Sequence, residues 1–206
     1  MKSKKDNPEL VTEFQNPLQN ISPIYISNRS NAEEILSEIE LKLKNQDDWS
    51  VRSEGIQLAL SALKGGITQN SSTDYSSFCI EIANCVTDLR SALVKSGSLL
   101  IAASAQIFQE KYGTSIKVLI PSLFKQLTHG TAIISNSCRL ALLEIARNVP
   151  ITKTYYLFNS KIQSKNNQHR LMLAEMINIL LETWPSTIIS TLKDSLNSSL
   201  QTLIDD

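Results

Sequence analysis

Residues 51–62 read VRSEGIQLALSA, and residues 94–105 read VKSGSLLIAASA. Laid together, Val51-Arg52-Ser53 falls on Val94-Lys95-Ser96. Ile56, Leu58, Ala59 and Ala62 then fall on Leu99, Ile101, Ala102 and Ala105, 43 positions on. A further step of 39 places Leu140-Ala141 on Ile101-Ala102, and a fourth copy anchors less well near Arg170. The matched positions are apolar or small and recur at helical steps, so each copy carries a helix. Periods of this size belong to two-helix solenoid repeats. One helix pair cannot bury its own apolar face, so the pairs must stack. The competing reading is an irregular helical bundle with coincidental spacing.

Around this core the chain divides readily into helices. Periodicity begins at Ala32, with Ile35, Leu36, Ile39 and Leu43 on one stripe, and stops at Asn45-Gln46-Asp47-Asp48. A second helix follows from about Trp49 to Lys64 and ends at Gly65-Gly66, as a glycine cap would end it. The next unit reads as a short helix over 76–86, a turn at Thr87-Asp88 and a long helix from Leu89 to Tyr112 closed by Gly113. Helices are then predicted over 115–128, kinked by Pro121, and over 133–149, ended by Pro150. A further pair spans 154–162 and 167–184, and one last helix runs through Ile188, Leu192, Leu196, Leu200 and Leu203. The expected fold is all-α, a HEAT-repeat solenoid of antiparallel helix pairs. Residues 1–30, rich in Asn, Pro, Ser and Lys, are expected to be a flexible leader with a short extended piece at Ile24-Tyr25-Ile26. The domain is expected over 31–206, as about four helix pairs and a final helix.

The 206 residues carry 20 basic and 20 acidic side chains, so formal net charge is zero. That balance argues against an unspecialised binder of nucleic acid or of acidic membrane. Cys79, Cys85 and Cys138 have no metal-like spacing and fall among helical apolar residues, as buried free thiols would. The basic start has no apolar stretch behind it and is not a secretory signal. The most apolar run, 98–109, is read as too short to cross a bilayer. A cytoplasmic protein is expected.

Catalytic and cofactor chemistry find little support. His129 and His169 have no Cys, Asp or His at a ligand interval, and no phosphate loop, nucleophile elbow or zinc-protease motif occurs. No enzyme activity, cofactor or metal is expected. The turns between paired helices carry more information, because in a solenoid they line up along one edge. They contribute Asp48-Trp49-Ser50-Val51-Arg52, Thr87-Asp88-Leu89-Arg90-Ser91, Thr131-Ala132-Ile133-Ile134 and Ser164-Lys165-Asn166-Asn167. Trp49 can project as a binding anchor or cover the open end of the first pair. Arg52, Arg90, Lys95, Lys165 and Arg170 give the same edge a basic bias, suited to an acidic protein partner. Aromatic interleaving of the kind that stacks nucleobases is absent.

These segments also carry a resemblance. Asp47-Asp48-Trp49-Ser50-Val51-Arg52, followed by Gly55-Ile56 and Leu60-Ser61-Ala62-Leu63, resembles the opening of a TOG domain of the CLASP N-terminal type. Asp88-Leu89-Arg90-Ser91-Ala92-Leu93-Val94-Lys95 resembles that family's second repeat. Leu119-Ile120-Pro121-Ser122-Leu123, then Ser164-Lys165-Asn166, Arg170 and Trp184-Pro185, are similar to later landmarks in the same order. The resemblance implies a paddle of HEAT repeats, an armadillo-like helical stack, whose turns within each repeat bind tubulin. Residue by residue, it assigns Trp49 to the first-turn aromatic, Arg90 and Ser91 to the second turn, and Lys165 and Arg170 to a later basic turn. Thr131-Ala132-Ile133 is neutral where members often carry lysine, and the chain holds fewer helix pairs than the six of a full TOG domain.

The resulting expectation is a non-catalytic module at microtubules, in spindle, cilium or elsewhere on the cytoskeleton. Its contacts with tubulin would be Trp49, Arg52, Arg90, Ser91, Lys95, Lys165 and Arg170, and other cytoskeletal proteins are further partners. Nucleic acid and membrane are not expected to bind. The alternative is a general HEAT-type adaptor that receives a peptide or helix in the groove of the stack.

Overall fold

The computed structural model describes residues 7–70 and 78–205, and the elements among them are helical. They are α1 (Pro8–Gln15), α2 (Arg29–Leu43), α3 (Trp49–Lys64), α4 (Ile67–Asn70), α5 (Cys79–Val86) and α6 (Ser91–Phe108). After a 3-10 segment (Gln109–Gly113) come α7 (Ile116–Gln126), α8 (Ala132–Asn148), α9 (Ile151–Asn159), α10 (Asn167–Thr183), α11 (Ser186–Ser190) and α12 (Lys193–Ile204).

Four antiparallel pairs, α2/α3, α5/α6, α7/α8 and α9/α10, stack in chain order. The second helix of each pair packs on the next second helix, α3 on α6, α6 on α8 and α8 on α10, while α5, α7 and α9 form the other layer. Side-chain contacts fix the direction of this packing. Arg52, near the start of α3, reaches Asp88, just before α6. Ser98, midway along α6, meets Cys138 in α8, and Arg139 of α8 meets Glu175 midway along α10. Near the far end the Trp184 indole N–H donates to the Ala146 carbonyl. The second helices therefore run parallel and in register, with their N-termini on one edge.

Helix boundaries follow local chemistry. Asp48 caps α3 by accepting the Ser50 amide at 2.8 Å, and after the C-cap Gly65 the helix is ended by Gly66, whose φ of 80° lies in the left-handed region. The long run predicted to Tyr112 is interrupted at Gln109, whose φ of 46° lies in the left-handed region and turns α6 into the 3-10 segment. Taken as Ser91–Gly113, this stretch is long and apolar enough to cross a membrane, contrary to the sequence reading. Most of it is buried, and α6 serves as the central core helix with Leu93, Val94, Ile101, Ala102 and Ala105 inside. Cys79, Cys85 and Cys138 are buried free thiols. The start of the helix predicted from 76 lies outside the described residues.

Two expectations are corrected. Residues 8–15 of the expected leader form a packed helix: Asn7 caps α1, Pro8 opens it, and Leu10 and Phe14 are buried against α6 and α8. The chain then turns over residues 16–20 and runs without regular structure over 21–27, with Ile24 and Ile26 turned inward and Tyr25 outward. The single last helix is two, because the chain breaks at Thr191-Leu192. Leu192 and Leu196 pack back on the preceding pair, and the Tyr155 hydroxyl meets Ser199 at 2.7 Å.

Candidate functional site

The four turns on the shared edge have one backbone design. The residues before α3, α6, α8 and α10 are Asp48, Arg90, Thr131 and Asn166, all extended, with φ from −82° to −123° and ψ of 112° or 113°. In three turns a side chain two residues earlier accepts that residue's amide. Asp88 takes the Arg90 N–H at 2.8 Å, His129 Nδ1 takes the Thr131 N–H at 3.0 Å, and Ser164 takes the Asn166 N–H at 3.2 Å. Asn45 does the same for Asp48 from three residues back, at 2.8 Å. Different residue types thus satisfy the same donor in all four turns of this edge.

Trp49 opens α3 on this edge and is 39% exposed. The Arg90 guanidinium lies 5.8 Å from the centre of its ring, a cation–π contact joining the first turn to the second. Beneath them Arg52 is only 7% exposed and donates to Asp88 at 2.9 Å, while Arg90 approaches the other Asp88 oxygen at 3.4 Å. Burial pushes the Asp88 carboxyl up, but the Arg90 amide and the Arg52 guanidinium outweigh it and hold the group below its ordinary value. Asp48 is also held low, chiefly by the Ser50 hydroxyl and amide. Burial pushes the neighbouring Cys85 thiol up to about 11, against the opposing charge of Arg52, which keeps it protonated.

The predicted residues therefore separate into two groups. Trp49 and Arg90 come together, Ser91 is the first residue of α6 and half-buried, and Lys165 is exposed in the fourth turn. Arg170 folds back onto the Ser164 carbonyl and donates to Asn167 Oδ1 at 2.6 Å, closing that turn. Arg52 does not look outward as expected, and Lys95, though part-exposed, is not a free cation. Arg52 is spent on Asp88, and Lys95 is paired with Glu13 of α1 at 2.8 Å. With Asp47, Asp48 and Asp88 counted, the first two turns are not basic.

Sequence reasoning missed Asp88 as the centre of this network, because its partners lie on both sides of a turn and 36 residues away. It considered His169 only as a ligand candidate and missed its structural bonds. Its Nε2 lies 3.1 Å from the Phe124 carbonyl and its Nδ1 3.0 Å from the Ser164 hydroxyl, which the neutral ring with its proton on Nε2 satisfies together. Burial, opposed by the Phe124 carbonyl and helped by Lys161, lowers its affinity for a second proton. Among the described residues no group of three or more His, Cys, Asp or Glu side chains gathers as a metal site would.

Comparison with known proteins agrees with this architecture. The family described as CLASP N terminal matches residues 29–206. The chain belongs to that family. Protein CLASP-2 of Caenorhabditis elegans is 22% identical over 203 residues, covering 94% of this chain and 20% of that protein. Protein CLASP-1 of Caenorhabditis briggsae is 20% identical over 201 residues, covering 95% of the chain and 15% of its own length. CLIP-associating protein 1 of Xenopus tropicalis is 20% identical over 180 residues, covering 84% and 12%. The chain thus spans a fifth or less of these three relatives. The family match begins at the first residue of α2, so the stack lies inside it and α1 outside.

Proposed function

We propose that this CLASP N-terminal domain is a non-catalytic, microtubule-associated module of the cytoskeleton that binds tubulin through the edge formed by its turns. The observation that carries the reading is the Trp49–Arg90 pair, an exposed indole held under a guanidinium at the junction of the first two turns. An aromatic and an arginine preorganised together are the residue types that dominate interface energetics. The capped turns hold them on rigid helix ends, so little side-chain freedom is lost on contact. Lys165 and Arg170 extend the site at the fourth turn, and Ser91 offers a hydroxyl at the start of α6. Arg52 and Lys95 support the edge from behind rather than touching the partner. The resemblance to TOG domains supports tubulin as the partner, and the name of the relative CLIP-associating protein 1 supports association with another protein.

The test is microtubule co-sedimentation, together with gel filtration against free tubulin. Trp49→Ala should weaken binding about tenfold or more while the helical melting curve keeps its shape. Equal binding by the variant removes Trp49 from the site. Absence of binding by the unaltered domain at low salt defeats the reading.

A further inference from the structure

The N-terminal segment lies on the stack as a bound peptide would. Leu10 and Phe14, four residues apart on one face of α1, enter the surface of α6 and α8, and Phe14 is 1% exposed. Glu13, beside Phe14, pairs with Lys95. The Gln106 amide reaches the carbonyls of Phe14 and Gln15 at 3.4 and 3.1 Å and the Glu144 carboxylate at 2.9 Å. Downstream, Lys64 donates to the Gln19 carbonyl, and the Ile24 amide donates to the Ser61 carbonyl at 3.1 Å. An eight-residue helix is not stable alone in water, so α1 is helical because the stack holds it.

Gly65 shows how closely the segment is seated. A Cβ built there would stand 2.1 Å from the Ile24 carbonyl oxygen. Its φ of −74° and ψ of −2° suit any residue, so the backbone does not call for glycine; the segment lying on it does. The stack proper, which the family match covers, starts only after this segment.

We infer that the α6–α8 surface is a helix-binding site, filled in cis by residues 7–26 and open to a partner segment of the same chemistry. That partner is a short amphipathic helix with Leu and Phe four apart and a carboxylate beside the Phe, followed by a turn and a segment whose backbone amide meets the Ser61 carbonyl. Leu and Phe supply the buried area, the carboxylate meets Lys95, and Gln106 reads the carbonyls at the helix end. The tethered copy competes at an effective concentration of order millimolar, so the site stays shut to weak ligands until the tether is loosened. This inference is independent of tubulin binding.

The probe is a fluorescein-labelled peptide of residues 7–26, followed by anisotropy against three full-length chains: unaltered, Phe14→Ala, and Phe14→Ala with Gly65→Ala. The double variant should bind at least tenfold more tightly than the unaltered chain, and the same peptide carrying Phe14→Ala should not bind. Amide hydrogen exchange of the double variant should show residues 7–26 unprotected and α6 and α8 still protected. If the segment is released with the stack intact and no peptide binds, the surface is no such site. If α6 and α8 lose protection together with the segment, residues 7–26 are a fixed part of the core, and the inference fails as well.

Discussion

Asp88 shows how much one side chain in a turn can hold. One oxygen accepts from Arg52, the other from the Arg90 amide, and the side chain is 12% exposed. Removing its charge leaves Arg52 buried without a counter-ion, which costs more than the pair was worth. Asp88→Asn keeps the shape and the acceptor for the Arg90 amide but not the charge, and should destabilise the domain by about 2–4 kcal/mol. The pH dependence has a definite sign. The folded-state carboxyl is held below its unfolded value, so its contribution is complete above about pH 4 and is lost as pH falls through the folded value. Urea unfolding from pH 7 to pH 3 should show this loss in the unaltered chain and a flatter profile in Asp88→Asn. Matching profiles would mean that Arg52 finds its compensation elsewhere. Trp49 depends on the same network, since Asp88 positions Arg90 and Arg90 lies over the indole.

At the scale of elements, the C-terminal helix tests how the stack is closed. α12 is anchored by Leu192 and Leu196 and by Ser199, which accepts from Tyr155 and donates within 2.8 Å of Asn159 Oδ1. Tyr155→Phe removes one buried hydrogen bond and should cost about 1 kcal/mol. In a solenoid, stability is close to a sum of neighbour terms, so the loss should appear as faster amide exchange in α12 and α9 while α6 is little changed. Uniform acceleration through α6 would show one cooperative block instead. The elements also mark what the sequence could tell. α3 was legible to the residue because an Asp and a Gly punctuate it, and α8 and α10 nearly so. The breaks at Gln109 and Thr191-Leu192 carry no glycine or proline, so periodicity ran through them. α1 was hidden because its polar, proline-bearing composition reads as disorder until α6 and α8 are there to receive Leu10 and Phe14. For Trp49 the sequence left projection and covering of the first pair both open, and the fold leaves its indole part-exposed. The pairing of Arg52 with Asp88 and of Lys95 with Glu13 was not legible, because these acids are distant in sequence.

Over the whole molecule, these pairings decide how charge works in binding. The chain is formally neutral, and its edge has Arg52, Lys95 and part of Arg90 already compensated by Asp88 and Glu13. Long-range attraction to an acidic partner is therefore weak, and under the tubulin-binding proposal contact energy would rest on the indole and on short-range contacts made by Arg90, Lys165 and Arg170. Charges farther apart than the Debye length, about 10 Å at 0.1 M salt, are screened from one another. A site of this kind should lose less than about tenfold in tubulin affinity between 50 and 200 mM salt, whereas one that neutralises many charges loses far more. Glu13→Gln should steepen that dependence by releasing Lys95, and should raise the association rate at low salt more than it changes the dissociation rate. Measuring both rates at two salt concentrations decides the matter. A fall of a hundredfold in the unaltered domain would mean that the compensated cations are re-exposed on binding, and that the edge rearranges when it meets its partner.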